Sequence, residues 1–125
     1  MIRFSEFFAS IQHAIRGVVV VFRHEQSFRI QVGAGVCAIA LGIVFHVPRS
    51  QLLIMFVMIA AVLSLEMVNS VFERIIDNFK PRIHPIVRDV KDAMAGAVLI
   101  VSIISALVGV VIFWPYVAAL VVTGT

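Results

Sequence analysis

Glu66, Met67, Val68, Asn69, Ser70, Val71, Phe72, Glu73, Arg74, Ile75, Ile76 and Asp77 form the stretch that decides the fold, because here a polar stripe emerges from an apolar tract. On a helix turning about 100° per residue, Glu66, Asn69, Glu73 and Asp77 fall within an arc of roughly 80°, with Ser70 beside them. Apolar residues precede Glu66, and Glu73 lies about two turns, roughly 10 Å, further along. A carboxylate held that far inside an apolar tract costs several kcal/mol and is a functional candidate by default.

The tract is one of three. Hydrophobic segments run over 30–47, 52–72 and 93–111, each close to the roughly 20 residues that cross a hydrocarbon core of about 30 Å. Of the 125 residues 62% are hydrophobic and 14% charged, with a mean hydropathy of +1.10. A soluble domain keeps about a quarter of its residues charged, so lipid must be part of this chain's solvent. The short connection Pro48, Arg49, Ser50, Gln51 makes the first two spans an antiparallel hairpin. The second connection, Glu73 to Asp92, is long and polar and is interrupted by Pro81 and Pro85. Pro115 is expected to end or kink the third span, near the interfacial anchors Trp114 and Tyr116. Residues 1–29 mix charges with Phe4, Phe7, Phe8, Ile11, Ile15, Val18, Val19 and Phe22 at helical spacing, which predicts an amphipathic helix lying at the membrane surface. The expectation is one all-α integral membrane domain over 1–125.

Basic residues set the expected orientation. Arg3, Arg16, Arg23 and Arg29 precede the first span; Arg74, Lys80, Arg82, Arg88 and Lys91 lie between the second and third; Arg49 alone occupies the hairpin loop. The N-terminus and second loop are then cytoplasmic and the C-terminus external. A pI near 9.8 without a basic block does not point to nucleic acid. Cys37 has no partner for a disulfide, and the N-terminus lacks the h-region and cleavage site of a signal peptide. Ala34, Ala38 and Gly42 recur every four residues in the first span; the stripe is either a close helix contact between copies or the ordinary abundance of small residues in membrane helices.

Two further elements carry candidate chemistry. Lys91 and Asp92 stand immediately before the third span, followed by Ala93, Ala95, Gly96 and Ala97; the pair is part of a polar pocket at the level of Glu73 or a topological anchor. Before the first span, Phe22, Arg23, His24, Glu25, Gln26, Ser27, Phe28, Arg29 and Ile30 hold one carboxylate, with Arg29 a turn away on the same helical face. Glu66 is itself either a reacting carboxylate or a structural one whose fixed partner is Asn69 or a group from the N-terminal helix. His13 and His24 read as interfacial, His46 falls on the far side of the membrane, and His84 stands in the loop between Pro81 and Pro85. No phosphate-cradling glycine loop and no metal-spaced Cys/His set is present. Carboxylates and a lysine at the membrane surface are nonetheless adequate for phosphoryl transfer: one carboxylate takes a hydroxyl proton, others hold magnesium, and Lys91 offsets developing charge.

These residues resemble the prokaryotic diacylglycerol kinase family, which includes the undecaprenol kinases. The resemblance spans nearly the whole chain: Glu25 to Ile30, the pattern Glu66, Asn69, Ser70, Glu73, Asp77, and Lys91, Asp92 followed by Ala95, Gly96, Ala97 and Val98. It implies a homotrimer in the bacterial cytoplasmic (inner) membrane, with composite sites near the cytoplasmic face and with ATP, Mg2+ and a membrane lipid as reaction partners. By the same carry-over Glu66 is the proton acceptor, Asn69 supports the reacting hydroxyl, Glu25 and Glu73 are magnesium ligands, and Lys91, Asp92 and His84 contact nucleotide. Asp77, Ser70 and Arg29 are supporting. Glu6 stands where family members often carry a basic residue, and the nearest, Arg3, comes about one turn earlier. Phe28, Arg29, Ile30 and the tract from Ala95 to Pro115 look more like the undecaprenol branch, so undecaprenol is the expected acceptor and diacylglycerol the alternative. A proton-coupled transporter would need polar residues on several spans, whereas the first and third offer Ser102 and Ser105 as notable interior ones. A membrane scaffold would leave the acidic stripe expendable.

Overall fold

Apolar residues at three- and four-residue intervals carry the chain into helix from its start, and the computed structural model, which describes residues 3–78 and 85–124, is all-helical. Its elements are α1 (Phe4–His24), α2 (Gln26–Val44), α3 (Arg49–Asn78) and α4 (Pro85–Thr123). Three of them, α2, α3 and α4, are long and apolar enough to cross a membrane. Lys80, His84 and Thr125 lie outside the described residues.

The joints between helices are local chemistry. Glu25 is a single extended residue, φ −105° and ψ 113°, between α1 and α2. Arg29 reaches back from α2 and donates to the carbonyls of Phe22 at 3.0 Å and Arg23 at 2.9 Å. The last carbonyls of a helix have no intrahelical donor, and a guanidinium supplies them. The expected pairing of Arg29 with Glu25 on one helical face is therefore replaced, since the extended backbone at Glu25 breaks that register.

At the other end α2 stops in a Schellman turn. His46 N–H bonds to Ile43 O at 3.1 Å and Val47 N–H to Gly42 O at 2.9 Å, with His46 left-handed at φ 54°. Val47, buried, supplies the apolar contact that accompanies such turns. Helix α3 then starts at Arg49, so most of the four residues expected as loop are its first turn. Likewise α3 continues to Asn78 and α4 begins at Pro85, so both flanks of the expected polar connection are helical. Proline suits a helix's first position, where its missing N–H would have no partner.

Helix α3 is the middle element, packed against α2 on one side and α4 on the other. Contact with α2 uses Gly35 and Gly42: a Cβ added there would stand 2.9 Å from Ile59 Cγ2 and 2.8 Å from Leu52 Cδ2. Of the small-residue stripe, Gly42 thus faces α3 within the chain, whereas Ala34 is exposed. Val47, Met55 and Ile112 form the buried cluster at the turn end, with Phe45, Phe113 and Tyr116 against it. Phe45 stacks on Tyr116 with centroids 5.7 Å apart and tilts against Phe113 at 6.2 Å. Those rings sit on both sides of Pro115, and α4 runs through that proline to Thr123 rather than ending there. Membrane helices tolerate proline where neighbouring packing holds the helix together.

Candidate active site at the polar end of the bundle

Two polar side chains of α3 are buried: Glu66 is 5% exposed and Ser70 2%. Ser70 Oγ donates to the carbonyl oxygen of Glu66, one turn back, at 2.9 Å, so its hydroxyl is satisfied within the helix. The Glu66 carboxylate has a partner from a different helix, for Ser27 Oγ in the first turn of α2 donates to Oε1. A buried carboxylate is tolerable only with such donors, because the unpaired charge would cost far more than one hydrogen bond returns.

The rest of the stripe follows down α3. Asn69 Nδ2 leans toward Glu73 Oε1 at 3.5 Å, and Asn69 Oδ1 is buried without a hydrogen-bond partner among the described residues. That oxygen is an open acceptor one turn from Glu66. Arg74 lies 3.5 Å from Glu25 Oε1, which draws the α1–α2 joint to the level of Glu73. One turn lower, Lys91 Nζ stands 3.6 Å from Asp77 Oδ1 and ties α4 to α3. Asp92 is exposed beside it. Glu66 and Asp77 are eleven positions apart on α3, about 16 Å of helix, so Lys91, placed beside Asp77, does not reach the Glu66 carboxylate within the chain. Arg3 is held by Glu6 at 2.7 Å, and His84 lies outside the described residues.

The bundle therefore assembles Glu25, Ser27, Glu66, Asn69 and Glu73 where α2 begins and α3 leaves its apolar tract, with Lys91 and Asp77 at the outer edge. Ser27 and Arg74 are the members that sequence reasoning missed. Arg74 stood inside the quoted motif as the neighbour of Glu73. Ser27 likewise stood inside the quoted stretch Phe22 to Ile30, but nothing in the sequence pairs it with Glu66, 39 residues away. Toward the apolar side, a groove of about 730 Å³ between α2, α3 and α4 starts at Gln31 and Val62 and continues past Ser102 to Phe113.

Comparison with known proteins follows this geometry. The family model described as prokaryotic diacylglycerol kinase matches residues 12–113, a range that holds every described member of the site. Undecaprenol kinase of Bacillus subtilis is 32% identical over 111 residues, covering 89% of this chain and 90% of the relative. Diacylglycerol kinase of Synechocystis sp. is 28% identical over 114 residues, covering 90% of this chain and 65% of that protein.

Proposed function

Because this chain belongs to the prokaryotic diacylglycerol kinase family and is a lipid kinase, we propose that it transfers the γ-phosphoryl group of ATP to the hydroxyl of undecaprenol at the cytoplasmic face of a bacterial inner membrane. The observation that carries the mechanism is the buried Glu66 carboxylate, tethered through one oxygen and placed where α3 passes from apolar to polar surroundings. Support for undecaprenol over diacylglycerol is the relative that matches along nearly the full length of both chains.

In this reading the lipid hydroxyl approaches Glu66 from the apolar side, and the free carboxylate oxygen accepts its proton as the hydroxyl oxygen bonds to the γ-phosphorus and the bond to ADP breaks. Positioning and electrostatics do nearly all the work in phosphoryl transfer, since the protein forms no covalent bond to the group moved. Asn69, one turn along α3 from Glu66, supports the reacting hydroxyl. Lys91 and Asp92 meet the nucleotide at the outer edge, and His84, just ahead of α4 in the sequence, joins them as a nucleotide contact.

Kinase chemistry brings a divalent cation with the nucleotide, and we assign Mg2+ to Glu25 and Glu73. The donor set fits: both are hard carboxylate oxygens, and Arg74 holds Glu25 at the Glu73 level. Among the described residues no three His, Cys, Asp or Glu side chains converge, but magnesium on phosphates is held by one or two carboxylates with water completing its octahedron. When bound, the ion neutralises charge on the phosphates.

The functional unit of this proposal is a homotrimer whose sites combine neighbouring subunits, with α1 lying in the headgroup layer. Its exposed Phe4, Phe7, Phe8, Ile11 and Ile15 supply the apolar contact that such a helix needs. The deciding experiment is phosphate transfer from labelled ATP by purified protein offered undecaprenol and diacylglycerol in one detergent. A higher kcat/KM for undecaprenol is expected; a higher value for diacylglycerol overturns the lipid assignment, and transfer to neither overturns the reaction.

A further inference from the structure

Glu66 needs more than burial to act as a base. The terminal torsion of a glutamate side chain is broad, and a carboxylate free to turn presents its lone pairs in the wrong plane much of the time. The donors that α3 itself brings near are directed elsewhere: Ser70 Oγ donates to the Glu66 carbonyl, and Asn69 Nδ2 leans toward Glu73. The donor to the carboxylate comes from α2, where Ser27 Oγ bonds to Oε1. Ser27 stands two residues past the extended Glu25, on a joint pinned by Arg29 to the end of α1 and by the Glu25–Arg74 pair to α3. Phe28, 3% exposed, packs beside it and edge-on to Phe22, with centroids 6.5 Å apart. The hydroxyl is therefore held on a different helix from the one that carries Glu66, at a joint tied to both α1 and α3.

We infer that Ser27 is a positioning residue of the phosphoryl transfer: its hydroxyl occupies Oε1 of Glu66, fixes the carboxylate plane and leaves Oε2 directed at the acceptor hydroxyl. One bond made by one oxygen does not block the other, since an ionised carboxylate offers about four lone-pair sites. A serine hydroxyl also suits both states of the cycle, because it keeps donating to Oε1 whether or not Oε2 carries the transferred proton. Small errors of placement matter at this step, where reacting atoms must lie about 3 Å apart and aligned. The inference rests on Glu66 as the proton acceptor.

The test is steady-state kinetics of the full chain in detergent micelles, with ATP and the lipid it phosphorylates, for wild type, Ser27→Ala, Ser27→Thr, Glu66→Gln and the Ser27→Ala/Glu66→Gln double variant. Ser27→Ala should lower kcat by about tenfold, in line with loss of a hydrogen bond to a charged group, while KM for ATP stays unchanged. Ser27→Thr, which restores a hydroxyl, should recover kcat to within about threefold. In the double variant Ser27→Ala should add no further loss to that of Glu66→Gln, because residues acting as a unit are not additive. A merely structural serine would multiply its full loss onto both backgrounds, and that result overturns the inference, as does a Ser27→Ala enzyme with wild-type kcat. Should Ser27→Ala fail to fold, the near-isosteric pair Ser27→Thr and Ser27→Val replaces it, with equal kcat for the two counting against Ser27. Near-normal turnover by Glu66→Gln would remove the base and Ser27's role with it, whereas a large loss there beside an intact Ser27→Ala removes Ser27 alone.

Discussion

At the residue scale the site turns on one buried carboxylate. Glu66→Gln keeps the shape of the side chain and can still accept from Ser27, but it has no basic oxygen for the lipid proton. Phosphoryl transfer should fall by about a hundredfold or more, the usual range for loss of a general base, with nucleotide binding by titration little changed. A neutral amide is cheaper to bury than a charge, so the melting temperature in detergent should be at least that of the parent; near-normal turnover would point to Asp92 instead. Glu25→Gln and Glu73→Gln test a different property. Each removes charge from a hard-cation site, so each should raise the magnesium concentration needed for half-maximal activity. The cost to folding should be small, because the Glu25–Arg74 pair is partly exposed and such pairs contribute about 1 kcal/mol or less. An unchanged magnesium titration for either variant would remove that glutamate from the metal site.

Between helices, the close approach of α2 and α3 depends on the missing side chains of Gly35 and Gly42. Without a hydrophobic driving force between helices in lipid, dispersion contacts between close backbones hold the pair together. Gly42→Leu would drive new atoms into Leu52, since even a Cβ would stand 2.8 Å from its Cδ2. Overpacking of this kind costs about 1–3 kcal/mol, and the variant should melt earlier in detergent. Gly33→Ala, on the same helix with nothing within 4 Å of the added Cβ, should melt no earlier than the parent. Equal melting of Gly42→Leu and wild type would show that α2 and α3 do not rely on this contact.

The whole molecule covers little of its own apolar surface: 17% of the most apolar window is buried in α2 and α3, and 11% in α4. Lipid is the solvent that suits the remainder, and the proposed trimer would cover a further share of it. The proposed orientation rests on the basic residues, four before the expected first span, one in the expected hairpin loop, five in the expected second connection and none after the third span. Reporters fused at the N-terminus and near Lys80 should read cytoplasmic and one after Thr125 external; a cytoplasmic C-terminus would overturn the arrangement. Detergent-corrected mass should be three times 13.8 kDa, and a monomeric mass with full activity would rule out shared sites.

Sequence by itself determined the helical membrane class, because long uncharged apolar runs have no other stable form in lipid, and it determined that Glu66, Asn69, Ser70, Glu73 and Asp77 share a helix face, because helical periodicity is a local rule. Its reach ended where contacts cross between helices or where polar residues extend them. The apolar run at 93–111 could not announce that α4 runs from Pro85 through Pro115 to Thr123, since the stretch around the proline is held by ring contacts with Phe45 of another segment. Composition marked Ala34, Ala38 and Gly42 as small, yet only the register between helices decides that Gly35 and Gly42 meet α3. Tertiary structure alone sent Arg29 to the end of α1, Arg74 to Glu25 and Ser27 to Glu66. Each of those partners depends on where the extended Glu25 turns the chain, and no periodicity along the sequence records the direction of that turn.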